Sequence, residues 1–191
     1  MMKDKRLRSS LCLVLALAML GAGCASTVSK LPRLPATPAG VYLLGPGDSL
    51  QVTVFGEPDL SGPLRVTDSG TVVMPLIGTV PAAGISVQDL QKKLTALLDA
   101  KAVKSPNVTV QINEYRPFFI LGEVKNPGSY AYVPDMTVLT AVAIAGGYTF
   151  RAAQDSMSVT RRIDGTSREA QAARDSRVLP GDVVTVYERH F

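Results

Sequence analysis

Pro46-Gly47-Asp48-Ser49-Leu50-Gln51-Val52 returns near the other end of the chain as Pro180-Gly181-Asp182-Val183-Val184-Thr185-Val186. In each copy a Pro-Gly turn carrying a locally hydrogen-bonding aspartate feeds a strand. The repetition reads as shared turn chemistry rather than as duplication of a larger unit. After the first copy, Leu50 to Val54 alternates apolar and polar residues, as a half-buried strand does. Gly56-Glu57-Pro58-Asp59 is a further turn. Leu64 to Thr67 and Thr71 to Ile77 flank Asp68-Ser69-Gly70, which predicts a hairpin with glycine free to take positive φ.

Ser86-Val87-Gln88-Asp89 has the form of a helix start, with a hydroxyl cap and an acid in the first turn. Val87, Leu90, Leu94, Leu97 and Leu98 then recur at helical spacing, predicting one amphipathic helix. Beyond Ser105-Pro106-Asn107, Val108, Val110 and Ile112 alternate as a strand with one buried face. The second half repeats this grammar. Phe118 to Val124 is strand-like, Lys125-Asn126-Pro127-Gly128 is a turn, and Tyr130 to Val133 is a return strand. Asp135 to Ala145 predicts a short helix stopped by Gly146-Gly147. Ser158 to Arg161 and Val183 to Tyr187 would close the sheet. The pattern is α+β, with two small domains over residues 42–116 and 117–191. They meet near Arg116-Pro117, where proline suits the start of a strand.

Upstream, residues 25–41 are rich in Ser, Thr, Pro, Ala and Gly, so residues 24–41 read as a flexible, extended tether. Residues 1–23 have the layout of a secretory signal: Lys3, Lys5, Arg6 and Arg8, then an apolar run from Leu11 to Leu20, then Gly21-Ala22-Gly23. That run is shorter than the ~20 residues needed to span a bilayer. Cys24 directly follows the small residues, where its thiol can be acylated. This resembles the bacterial lipoprotein signal, although Gly21 stands where a larger aliphatic residue is usual. The alternative is an ordinary signal cleaved near Ala25 or later. Ala25 in place of Asp resembles an outer-membrane sorting address.

Removing residues 1–23 leaves 16 basic against 15 acidic residues, a net charge of +1, so the alkaline balance belongs mostly to the signal. No Lys/Arg cluster survives to argue for nucleic acid. Cys12 leaves with the signal, and Cys24 alone cannot form a disulfide or a cysteine metal site within one chain.

Leu44-Gly45-Pro46-Gly47-Asp48, Met74-Pro75-Leu76-Ile77-Gly78, Gly84-Ile85-Ser86 and Pro106-Asn107-Val108-Thr109-Val110 together resemble the polysaccharide biosynthesis/export domain. Leu121-Gly122-Glu123-Val124-Lys125-Asn126-Pro127-Gly128, Ala145-Gly146-Gly147 and Leu179-Pro180-Gly181-Asp182-Val183-Val184 resemble the soluble-ligand-binding (SLBB) β-grasp domain that follows it. The resemblance implies a periplasmic, lipid-anchored outer-membrane polysaccharide export protein, not an enzyme and without a cofactor. A homo-oligomeric ring acting with polysaccharide and an inner-membrane co-polymerase is expected and, because four residues after the last strand leave no room for a pore helix, a separate outer-membrane β-barrel. Long members end in a pore-forming helix. This chain stops at Glu188-Arg189-His190-Phe191, which reads as a short member acting as a collar or conduit for capsule or exopolysaccharide. The alternative reading is a lipid-anchored carbohydrate- or peptidoglycan-binding module.

Asp48 and Asp182 could be taken as a carboxylate pair for glycosidic chemistry, but each sits in a Pro-Gly-Asp turn where local hydrogen bonding accounts for it. Gly45, Pro46, Gly47, Asp48, Gly122, Glu123, Pro127 and Gly128 are therefore read as structural turns of the family motifs. His190, the single histidine, has no partner set for a metal site or a triad. Gly146-Gly147 follow their helix rather than opening it, which argues against a phosphate cradle. Tyr130, Tyr132, Tyr148 and Phe150 are candidates for stacking on sugar rings, against the commoner role of aromatics in cores. Arg161-Arg162 is too short for a charged patch.

Overall fold

In the computed structural model, which describes residues 30–35, 40–101, 103–163 and 165–189, the alternation of Leu50, Val52 and Val54 becomes the inward face of β1 (Ser49–Val54). The signal segment, Cys24 and His190 lie outside the described residues. Strand β1 runs antiparallel between β2 (Gly62–Arg65) and β5 (Val108–Glu114). Helix α1 (Val87–Lys101) buries Leu90, Leu94 and Leu98 against this sheet. Full burial of each such side chain contributes about 1.5–3 kcal/mol. Ser86 caps the helix: its Oγ accepts from the Asp89 N–H at 3.0 Å and donates to the Asp89 carboxylate at 2.7 Å. One orphan N–H of the first turn is satisfied in this way, and the bond to the carboxylate holds the capping hydroxyl in place.

The turn predicted at Asp68-Ser69-Gly70 forms, with Gly70 at φ 76 and the Thr67 N–H donating to the Thr71 carbonyl at 2.8 Å, but the strands it joins pair elsewhere. β2 pairs with β1, whereas β3 (Thr71–Met74) pairs with β4 (Gly78–Pro81) as a two-stranded sheet. The continuous strand expected from Thr71 to Ile77 is broken by Pro75, which has no N–H for a ladder, and by Leu76 at φ 64. Val72, Met74 and Val80 still face the same core as β1 and α1.

The second domain contributes strands β6 (Phe118–Gly122), β7 (Gly128–Tyr130), β8 (Ala152–Ile163), β9 (Thr166–Ala172) and β10 (Val183–Glu188). They form a five-stranded sheet of order β7-β6-β10-β8-β9. β10 lies parallel to β6 and antiparallel to β8. Helix α2 (Val138–Ile144) covers one face, with Val138, Ala141 and Val142 packed among Phe118, Ile120, Met157 and Val184. The helix begins three residues later than the expected Asp135, because Asp135 sits at φ 62 and Thr137 supplies the cap. Gly147 closes it by donating to the Val142 carbonyl at 2.9 Å. The return strand starts at Gly128 rather than Tyr130, and Tyr132 lies beyond its end. Strand β8 is 12 residues long, extending the expected Ser158 to Arg161 in both directions. Strand β9, Thr-Ser-Arg-Glu-Ala-Gln-Ala, carries no alternation in its sequence, because its first four residues are exposed on both faces.

Within the stretch read as tether, Pro32 to Leu34 adds to the free edge of β9. The Leu34 N–H donates to the Gln171 carbonyl at 2.7 Å, and the Gln171 N–H to the Pro32 carbonyl at 2.8 Å. Leu34 packs against the second core. Two glycines separate backbone strain from steric exclusion. Gly122 (φ 83) ends β6 where an added Cβ would stand 2.0 Å from the Val186 carbonyl oxygen, whereas Gly147 (φ 92) has nothing within 4 Å. Gly147→Ala should therefore cost about 1–2 kcal/mol, the left-handed penalty alone. Gly122→Ala should cost clearly more, or prevent folding, since a backbone ladder must move. Urea denaturation followed by circular dichroism measures both, and equal costs would refute the distinction.

Candidate functional site at the domain junction

Strand β5 ends at Glu114 and β6 begins at Phe118, so Tyr115-Arg116-Pro117 is the direct link from the three-stranded to the five-stranded sheet. Both Pro-Gly-Asp turns close on this connector. In the first, Pro46 and Gly47 (φ 96) hold the central positions of a type II turn; in the second, Pro180 and Gly181 (φ 84) do the same. Each aspartate carboxylate accepts the N–H three residues back, Gly45 to Asp48 at 2.8 Å and Leu179 to Asp182 at 2.7 Å. These local bonds account for aspartate at both positions.

The tertiary contacts go further. Asp48 is fully buried and accepts the Arg116 N–H at 2.9 Å, the Arg116 guanidinium at 3.1 Å and the Tyr42 hydroxyl at 2.7 Å. Arg116 also donates to the Tyr42 oxygen at 2.7 Å and, through Nε, to the Pro180 carbonyl at 3.0 Å. The Gly181 N–H donates to the Pro117 carbonyl at 3.0 Å. The side chain of Arg116 thus threads between the two turns. A Cβ there would push the guanidinium off its partners: one on Gly45 would stand 2.4 Å from Arg116 Nη1, and one on Gly181 2.9 Å from Nε. Asp182 is buried as well, but its cation is Arg161 of β8, bound through two nitrogens at 2.9 and 2.7 Å. Each carboxylate is held by its own guanidinium in a salt bridge, an arrangement for structure rather than for acid–base work.

Tyr42 begins a file of rings. Tyr115 meets it edge-on at 5.0 Å between centroids and meets Tyr132 edge-on at 5.3 Å. Arg116 lies 5.6 Å over the Tyr42 ring. Burial, reinforced by donation to Asp48, raises the Tyr42 phenol well above its ordinary pKa. Of the other aromatic candidates, Tyr130 stacks on Phe118 and Tyr148 donates to the Met157 sulfur, whereas Phe150 is 86% exposed.

Gly122 and Glu123 lie at the far end of β6, about 16 Å away by strand rise. There the Glu123 carboxylate accepts the Thr149 hydroxyl, and Pro127-Gly128 turn the chain into β7. Asn126 donates to the Ala145 carbonyl at 3.3 Å, tying this loop to the end of α2. The two motif groups are therefore not brought together. Arg116, Tyr42 and Tyr115 went unrecognised in the sequence. The one available signal was the Arg-Pro dipeptide between two strand patterns. Among the described residues, no group of three or more His, Cys, Asp or Glu is placed to hold a metal ion, and no helix is long and apolar enough to cross a membrane.

Removing Arg116 leaves the Asp48 carboxylate buried without its cation, so Arg116→Ala should cost about 3–5 kcal/mol. Arg116→Lys should recover only part of this, because one ammonium cannot reproduce the fork to Asp48, Tyr42 and Pro180. Urea titration of both variants checks the order. Tyr42→Phe should cost about 1–2 kcal/mol near neutrality. The contribution of Tyr42 is whole below the ordinary tyrosine pKa of about 10. Above it the unfolded chain ionises first and stability falls. Stability measured between pH 8 and 11 should therefore fall less steeply in Tyr42→Phe than in the parent.

Residues 36–113 match the family model described as polysaccharide biosynthesis/export protein, and residues 117–169 match that of the SLBB domain. The exopolysaccharide production protein ExoF of Rhizobium meliloti (strain 1021) is 32% identical over 180 residues, covering 82% of this chain and 41% of ExoF. The polysialic acid transport protein KpsD of Escherichia coli is 32% identical over 108 residues, 56% of this chain and 19% of KpsD. The EPS I polysaccharide export outer membrane protein EpsA of Ralstonia solanacearum is 30% identical over 148 residues, 63% of this chain and 39% of EpsA. The chain thus spans less than half the length of each of these relatives. Arg116 falls between the two matched segments, joining domains that each carry a Pro-Gly-Asp turn. The chain therefore belongs to the polysaccharide biosynthesis/export family, with an SLBB domain following its export domain.

Proposed function

We propose that this protein is a non-enzymatic, periplasmic component of a capsule or exopolysaccharide export complex, anchored to the outer membrane through acylated Cys24. Copies assemble into a ring-like collar or conduit, which docks on an inner-membrane co-polymerase and hands polymer to a separate outer-membrane β-barrel. The observation that carries the reading is an export domain followed by an SLBB domain in one chain, together with 32% identity over 180 residues to an exopolysaccharide production protein. The geometry of the junction supports it. A ring subunit must hold its two halves at a fixed angle, and the Arg116 fork bonds both turns at once. A polar glycan crosses hydrocarbon only inside a closed wall of helices or strands, which is why a channel partner belongs to the proposal.

Deletion of the gene should abolish cell-surface polymer while leaving intracellular precursors, with recovery on complementation. Undiminished surface polymer would refute the export role, and a purified monomer that retains glycan unaided would favour a binding module instead. Acyl chains contribute roughly 0.8 kcal/mol per buried CH₂, and stable anchoring takes more than one chain. Cys24→Ser should accordingly move the protein from the membrane to the soluble periplasmic fraction on cell fractionation. Unchanged membrane association after a high-salt wash would refute the anchor.

A further inference from the structure

Beside the connector lies a groove of about 460 Å³ that neither core fills, within the range of small-molecule clefts. Tyr42 enters from the export domain, Tyr115 from the connector, and Tyr132, Arg162 and Arg177 from the SLBB domain. A second cleft, of about 270 Å³, shares Arg116, Arg162 and Leu179 with the first, so the two form one track past the junction.

The charges along this track do not balance. Arg116 is paired with Asp48, Arg161 with Asp182, and Arg177 with Asp135 at 2.9 Å. Arg162 is exposed and makes neither an ion pair nor a hydrogen bond among the described residues, although it lines both clefts. Tyr115 is the second unsatisfied group. Its ring is fixed between Tyr42 and Tyr132, while its hydroxyl has no hydrogen-bond partner among the described residues. A surplus guanidinium, a free phenol hydroxyl and a file of tyrosine rings therefore line one track.

We infer that this track is an oligosaccharide subsite selective for sugar units bearing a carboxylate. The inference rests on the export reading and names the chemistry of the polymer. Pyranose rings present apolar C–H faces that suit tyrosine, which combines an apolar body with a polar tip. The Arg162 fork matches a carboxylate in two parallel hydrogen bonds. The Tyr115 hydroxyl accepts or donates to a ring hydroxyl. A neutral glycan lacks the partner that would compensate desolvation of the guanidinium, so discrimination falls on Arg162.

The test is calorimetric titration of the chain beginning at residue 24 with oligogalacturonate, a carboxylate on every sugar, and with maltoheptaose, which has none. Oligogalacturonate should bind and maltoheptaose should not. Arg162→Gln should weaken binding by about tenfold or more and Tyr115→Phe by about threefold. Arg162→Lys, which keeps the charge but loses the fork, should fall between the parent and Arg162→Gln. Absence of oligogalacturonate binding, equal binding of the neutral glycan, or an unaffected Arg162→Gln variant would overturn the inference. So would a change of oligomeric state in Arg162→Gln by sedimentation, which would make the groove a subunit interface. Failure of the export reading is separately visible: surface polymer would persist in the deletion strain, whatever the calorimetry gives.

Discussion

The arrangement of this protein depends on burying one carboxylate beside one guanidinium. Asp48 is removed from water completely, at a cost of several kcal/mol for an isolated ion. Four donors offset it: the Gly45 and Arg116 backbone N–H groups, the Tyr42 hydroxyl and the Arg116 guanidinium. The same guanidinium reaches the Pro180 carbonyl, so the group that neutralises the first domain's turn also measures the position of the second domain's turn. Gly45 and Gly181 serve this geometry by absence, since a Cβ at either would occupy the space of the arginine.

The two turns are alike locally and unlike in consequence. Both close with the aspartate accepting an N–H three residues earlier, and both launch a strand at the centre or axis of a sheet. Asp182 takes its cation from β8 of its own domain, which stiffens one sheet. Asp48 takes its cation from the connector, which joins two sheets. Identical turn chemistry thus produces an internal brace in one place and a joint in the other, according to which strand ends nearby.

The five-stranded sheet has its own constraint at the edges. Free edges invite pairing with other chains. One edge is the three-residue β7, short enough to offer little. The other is β9, and there Pro32 to Leu34 supply hydrogen bonds to Gln171. Glu169, further along β9, is held below the ordinary carboxylate pKa by donation first from Ser158 and then from Tyr187, which fastens the outer face of the sheet across β8 and β10.

Local pattern alone determined a large part of this protein. The α+β class, the helix capped by Ser86, the strands carrying Leu50–Val54 and Val108–Ile112, and the glycine stop after α2 all follow from periodicity and turn chemistry within a few residues. So does aspartate in each Pro-Gly-Asp turn. Only the tertiary structure decided the pairing of β3 with β4 instead of β2, the strand β9, and the docking of Pro32 to Leu34. Each depends on which backbone edges meet, and hydrogen bonds between distant strands leave no period in the residues that make them. The role of Arg116 was hidden for the same reason. Its partners, Asp48 and Pro180, lie 68 and 64 residues away, and a charge found beside a proline says nothing about what it will neutralise until the chain has folded around it.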